Sequence, residues 1–184
     1  MSFTIANSGE KAIADRIKGE RPKSSAPLFD DYYLLLMLGL ASGKKLPAKH
    51  AKVGEERPIF AAGVKRPPNL YEGVWDEIVA LVVTKEIQNR GVDMDNKGDV
   101  NDVIQNLLSD DQTTPYTNDF WEAMNGYMRS GALHMRDIPI DKKDSWEVFM
   151  ADYYIPLCKA LDADAISETP SDERKELLEE WSSD

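Results

Sequence analysis

One stretch limits the folds open to this chain more than any other. Leu28 to Lys45, LFDDYYLLLMLGLASGKK, holds the most apolar run in the sequence, Tyr32 to Ala41. That run is apolar on every face, so as a helix it has to be buried on more than one side. It is also only about half as long as a bilayer span requires. Asp30 and Asp31 fall in the first turn, where the helix dipole favours negative charge, and Pro27 stands just before it. Gly43 suits the left-handed position after a helix, Lys44 and Lys45 suit the negative end of the dipole, and Pro47 forbids continuation. A central buried helix follows, with the remaining elements arranged around it.

Those elements read mostly as helices. Asn7 or Ser8 can cap a short helix over Glu10 to Lys18, with Ile13 and Ile17 on one face and Gly19 as its stop. Residues 1–7 read as an extended arm, and Gly19 to Pro27 as a linker. After the central helix, residues 46–70 contain Pro47, Pro58, Pro67 and Pro68. Within them Arg57 to Ala62 has the composition of a short strand, paired in a hairpin with residues near Val64.

Helical spacing returns over Tyr71 to Asn89, where Val74, Ile78, Leu81, Val82 and Ile87 make a stripe ended by Gly91. A short helix is expected near Val100 to Leu108. Another covers Asp119 to Ser130, capped by Thr117 or Asn118 and stopped by Gly131. Leu133 to Ile140 reads as extended. Asp144 then caps a helix through Phe149, Tyr153 and Leu157, broken near Tyr154 by Pro156. Ser171 caps a last helix, on which Leu177, Leu178 and Trp181 need a surface to pack on.

The expected fold is mainly α: a compact helical domain of about six or seven helices around the buried Leu28–Ser42 helix, with at most one small β-hairpin. The expected division is an arm, short helix and linker over 1–27, a helical core domain over 28–165 and an acidic C-terminal helix over 166–184.

Charge is unevenly divided. The net of −11 hides a basic part, residues 1–70 with 12 Lys/Arg against 7 Asp/Glu, and an acidic part, residues 71–184 with 10 against 26. The first could attract a phosphate backbone and the second would repel one. The densest basic segment follows Gly43. Lys44, Lys45, Lys49, Lys52, Lys65 and Arg66 are the candidates for contact with DNA or an acidic partner, and Leu178 and Trp181 are the candidates for packing on a partner.

Catalytic and metal motifs are wanting. Around Asp93, the residues Asp95, Gly98, Val100 and Asn101 fall where an EF-hand loop needs them. Lys97, however, takes a ligand position, and Ile104 stands where the bidentate Glu belongs. Gly39 to Lys45, GLASGKK, has one residue too few between its glycines for a phosphate-binding loop and follows a helix where that motif follows a strand. Cys158 is the single cysteine, so no internal disulfide forms. With only His50 and His134 beside it, no Cys/His zinc set exists. Its apolar neighbours make it a core thiol. No nucleophile–base pair stands out, so we expect no enzyme and no cofactor. The lone cysteine and the charged N-terminus fit a cytoplasmic protein.

Three segments carry a family resemblance: Tyr32 to Pro47, YYLLLMLGLASGKKLP; Gly54 to Phe60, GEERPIF; and Tyr127 to Leu133, YMRSGAL. Together they resemble the small accessory proteins of bacterial DNA phosphorothioation-type and related anti-phage defence operons, across roughly residues 28–135. Arg57 departs from the pattern, standing between the acidic pair and Pro58. The resemblance implies a non-catalytic accessory subunit that bridges or regulates a larger ATPase (SMC-like) or nuclease of the same operon. Any DNA contact would be weak or indirect, and no membrane would be involved. The alternative is a free-standing DNA-binding regulator.

Overall fold

The structure is a computed structural model. It describes residues 3–17, 27–48, 50, 52, 54–59, 69–111, 115–138 and 144–167. In chain order the elements are strand β1 (Thr4–Ala6), helix α1 (Asn7–Arg16), helix α2 (Pro27–Ser42) and strand β2 (Glu56–Pro58). A 3₁₀ turn (Asn69–Val74) leads into helix α3 (Trp75–Asn89), followed by α4 (Lys97–Leu107), α5 (Asn118–Asp137), α6 (Trp146–Val148), a π-helical turn (Phe149–Tyr154) and α7 (Ile155–Ser167). The fold is mainly α, as the sequence predicts, with one small two-stranded antiparallel sheet. None of the described helices is long and apolar enough to cross a membrane.

α2 is the centre, and its burial on several sides matches the all-round apolar pattern. Phe29, Tyr32, Leu34, Leu35, Leu36, Leu38 and Leu40 are all buried. Each such side chain contributes about 1.5–3 kcal/mol over leaving it in water. Gly43 does end the helix in the left-handed region, at φ 66°, where a residue with a Cβ is strained.

The principal partner of α2 is α5. The two helices meet backbone to backbone. A Cβ built on Gly39 of α2 would overlap the carbonyl of Tyr127, and one built on Gly131 of α5 would overlap the carbonyl oxygen of Leu35. Only residues without a Cβ at these two positions allow the axes this close.

Gly131 was expected to stop its helix, and Leu133 to Ile140 to be extended. Instead α5 runs unbroken through Gly131 to Asp137. A glycine does not end a helix whose backbone is pinned on both sides of it, and here the crossing with α2 does the pinning. Thr117 is the cap, its Oγ1 accepting from the Phe120 amide.

The N-terminal residues are core, not an arm outside it. Phe3 is fully buried and meets Phe29, Tyr32, Trp75 and Trp121 edge-on at centroid distances of 5.1, 5.3, 5.8 and 4.8 Å. Such geometry sets positive ring edges against negative faces. The boundary expected at 27/28 is therefore not an edge of the core. β1 pairs with β2 in the register Thr4↔Pro58, Ile5↔Arg57, Ala6↔Glu56. The strand expected near Arg57 exists, but its partner lies at the start of the chain; Val64 lies outside the described residues. α1 begins at Asn7, with Ala6 in the cap position and no side-chain cap.

Two more expectations shift. α4 begins at Lys97 with Asn96 as cap, its Oδ1 accepting from the Gly98 and Asp99 amides. Ser145 rather than Asp144 caps α6. Near Pro156 the helix does not part. It widens, with Ile155 N–H donating to the Met150 carbonyl five residues back. A wider turn accommodates the missing proline donor without losing the axis.

Candidate functional site

The loop after α2 is laid along α5. Leu46 N–H donates to the Gly126 carbonyl at 3.1 Å. Arg129 Nη1 donates to the Leu46 carbonyl at 3.1 Å, and Arg136 Nη1 to the Lys52 carbonyl at 2.8 Å. The segment thus follows α5 from Gly126 to Arg136. Lys44 and Lys52 are exposed along it, and Arg136 is exposed in the last turn of α5. The charge of Lys44 also reaches His134, whose pKa is held below the ordinary value by burial first and by Lys44 second, against the pull of Asp137.

Of the six basic candidates, Lys49, Lys65 and Arg66 lie outside the described residues, as do Leu178 and Trp181. Lys44 and Lys52 are exposed. Lys45 is different. Its Nζ donates to Glu86 Oε2 at 2.7 Å, and Glu86 is only 1% exposed. Tyr127 OH donates to the other carboxylate oxygen at 2.9 Å, and Asn89 Nδ2 donates to that hydroxyl at 2.8 Å. Burial, with the Glu86 charge beside it, pushes the Tyr127 hydroxyl far up. Lys45 therefore serves to neutralise a buried carboxylate, while its own side chain stays 38% exposed. Reversing its charge would set two carboxylates against each other in the interior.

A second buried cluster ties the small sheet to α5. Arg129, 3% exposed, donates through Nε to Glu56 and through Nη1 to Glu122 at 2.8 Å. Burial opposes its charge, and hydrogen bonds to the two carboxylates more than offset that, so its pKa is raised. Thr4 Oγ1 donates to Glu56 Oε2 at 2.7 Å. Beside it, Tyr32 OH and the Thr4 amide both donate to Asn125 Oδ1, at 3.1 and 3.3 Å.

Arg16 makes the third cluster. It donates to the carbonyls of Ala12, Arg136 and Ile138 at 2.7–2.9 Å, satisfying the exposed carbonyl end of α5. Burial lowers its pKa, with Asp15 and Asp137 opposing.

The sequence analysis did not single out Arg129, Glu86 or Arg16. A signal was present: each is a charged residue among apolar-stripe positions, Arg129 next to Met128 and one turn from Ala132, Glu86 one turn from Val82 and Val83 and next to Ile87. A charge on a buried face requires a partner.

Among the described residues, no three His, Cys, Asp or Glu side chains converge as metal ligands would. The Asp93 segment forms a local turn, with the Asp95 amide donating to Asp93 Oδ1 at 2.9 Å, and α4 begins within what would be the rest of a cation loop. Cys158 is half-buried rather than a core thiol. Burial pushes its thiol up, Tyr154 pulling the other way. It lines a groove between α2, α3 and α7 with a volume of about 290 Å³.

Comparison of the chain with protein-family models, curated proteins and solved structures gives no match.

Proposed function

We propose that the chain is a non-catalytic accessory subunit of a bacterial DNA-defence complex, bridging or regulating a larger ATPase or nuclease through the basic edge formed by Lys44, Lys52 and Arg136. The observation that carries the reading is the division of charge. The buried charges are spent holding the fold together: Lys45 on Glu86, Arg129 on Glu56 and Glu122, Arg16 on helix-end carbonyls. Lys44, Lys52 and Arg136 are exposed along α5, the loop's backbone being anchored at Gly126, Arg129 and Arg136. An anchored backbone presenting exposed cations suits an acidic partner surface or a phosphate backbone. The proposal includes a cytoplasmic location, in keeping with a single cysteine.

The test is co-purification of the tagged protein with the products of its neighbouring genes. A larger ATPase or nuclease should co-elute, and Lys44→Glu with Lys52→Glu should release it while leaving the far-UV circular dichroism unchanged. A monomer that retains no partner from its own operon would sink the proposal. The rival, a free-standing DNA-binding regulator, predicts that the isolated chain binds DNA with an affinity falling steeply as salt rises. The acidic charge of residues 71–184 counts against it.

A further inference from the structure

Glu86 has more cation around it than one carboxylate needs. Lys45 Nζ donates to Glu86 Oε2 at 2.7 Å, and Arg90 Nη2 stands 3.8 Å from the same oxygen. Glu86 is 1% exposed, whereas the Lys45 and Arg90 side chains are 38% and 37% exposed. We propose that Lys45 is a further contact residue of the basic edge, and that Arg90 replaces it on Glu86 when an acidic segment of a partner protein draws it away. The proposal rests on the accessory-subunit reading, whose edge it extends.

Three features carry the exchange. The first is that Glu86 keeps its place without Lys45. Tyr127 OH donates to Oε1 at 2.9 Å, and Asn89 Nδ2 donates to that hydroxyl at 2.8 Å. Lys45 can therefore leave Oε2 with the carboxylate still held. A buried charge left without any cation is strongly destabilising, so a substitute is required.

The second is the position of Arg90. It follows Glu86 by four residues at the end of α3, the spacing and order in which an acid and a base on one helix meet best. Its backbone N–H donates to the Glu86 carbonyl at 3.1 Å, so only the side chain has to move. A shift of about 1 Å brings Nη2 into charge-assisted hydrogen-bond range of Oε2.

The third is how Lys45 is held. Leu46 N–H donates to the Gly126 carbonyl, and the Lys45 stem lies over Gly126, where an added Cβ would come 3.4 Å from Lys45 Cβ. The stem is fixed on α5 and the ammonium at its end reaches solvent. Arg129 is the contrast, a cation 4% exposed between Glu56 and Glu122. One buried cation between two carboxylates has no charge to offer, whereas two cations around one carboxylate leave a positive charge in surplus. That surplus stands next in sequence to the exposed Lys44. Asp93 and Asp95 are exposed just beyond Arg90 and repel an extended phosphate backbone, which favours a short acidic segment of a protein over DNA.

The exchange is tested first without a partner, so that its failure is distinct from failure of the accessory reading. Urea midpoints are measured for Lys45→Met, Arg90→Gln and the double variant. Each single change should lower the midpoint little, because the other cation holds Glu86, and the double loss should exceed the sum of the two. Additive losses, or a loss for Lys45→Met as large as that of the double variant, would overturn the exchange. The second measurement is binding of an oligoglutamate peptide at low salt. Lys45→Met should weaken it about threefold, the size of an exposed ion pair. Arg90→Gln should weaken it in the parent but not in a Glu86→Gln background, where no carboxylate has to be handed over. A loss that persists there would make Arg90 a direct contact and overturn its role as substitute. Peptide affinity that is absent, or unmoved by Lys45→Met, would overturn Lys45 as a contact residue. A short DNA duplex bound more tightly than the peptide would overturn the choice of partner. The accessory reading itself stands or falls on co-purification.

Discussion

The two sides of α2 are built to different tolerances. Toward α5 its backbone touches another backbone: Gly39 lies against Tyr127, Gly131 against Leu35, and Ser42 Oγ donates to the Gly39 carbonyl and meets Ser130 Oγ at 3.2 Å. Toward α7 the same helix is held by side chains, with Tyr154 OH donating to the Leu34 carbonyl at 2.7 Å, and it leaves an open groove. The ion pairs differ likewise: Arg129 of α5 is buried on Glu56 and Glu122, and Glu86 bonds Tyr127 of α5, whereas Lys85 meets Asp162 of α7 at 3.8 Å with Asp162 half-exposed. One side is fixed by exclusion of any added atom. The other is held by side chains around a groove.

Four substitutions probe this contrast. The largest effect is expected for Gly131→Ala, whose methyl group would overlap the Leu35 carbonyl; the cost should be about 3 kcal/mol or more, at the upper end of overpacking. Urea unfolding measures it, and a loss near zero would mean that the crossing yields as easily as the groove. Next comes Arg129→Met. It leaves Glu56 and Glu122 without their cation, and Glu56 is only 16% exposed, so a loss of about 3 kcal/mol is expected. A double-mutant cycle with Glu56→Gln should recover part of that loss.

The matched change on the looser side is Ala41→Leu, within the same helix. The groove accepts the added carbons, and the stability should move by less than about 1 kcal/mol. Ala41→Leu as damaging as Gly131→Ala would erase the distinction between the two sides.

The smallest effect is a pH dependence. His134 has its folded-state pKa below the ordinary value, chiefly through burial. The unfolded chain therefore binds the proton more readily, and stability falls as pH drops below about 6.5, the ordinary histidine value. His134→Gln should flatten that part of the stability profile. An unchanged slope would assign the effect to other groups.

What could be read in the sequence was local. Tyr32 to Ala41 announced a buried helix, Gly43 its end and Thr117 the start of α5, because caps and apolar runs act within a few residues. Lys44 and Lys52 were legible as surface cations for the same reason. What was not legible was long-range. Gly131 carries the same signal whether it stops a helix or admits a neighbouring backbone, and only the position of Leu35 distinguishes the two. Lys45 looks like Lys44 until Glu86, forty-one residues on, claims it. Arg57 has strand composition, but nothing near it in the chain shows that Ile5 is its partner.

The placement of Phe3 has a consequence for the order in which the chain acquires structure. Its ring sits among Phe29, Tyr32, Trp75 and Trp121, β1 awaits Glu56, and Arg16 awaits the end of α5, with its hydrogen bonds spanning 122 residues of sequence. β1 and α1, made before the elements they pack on, are therefore among the last of the described elements to find their contacts. Until Ile138 has been made, β1 and α1 have no finished surface to join, and contacts between partners so far apart in sequence slow folding. Synthesis of this protein leaves an apolar N-terminal segment waiting for the helix that will enclose it, and that interval is when a chaperone would have most to hold.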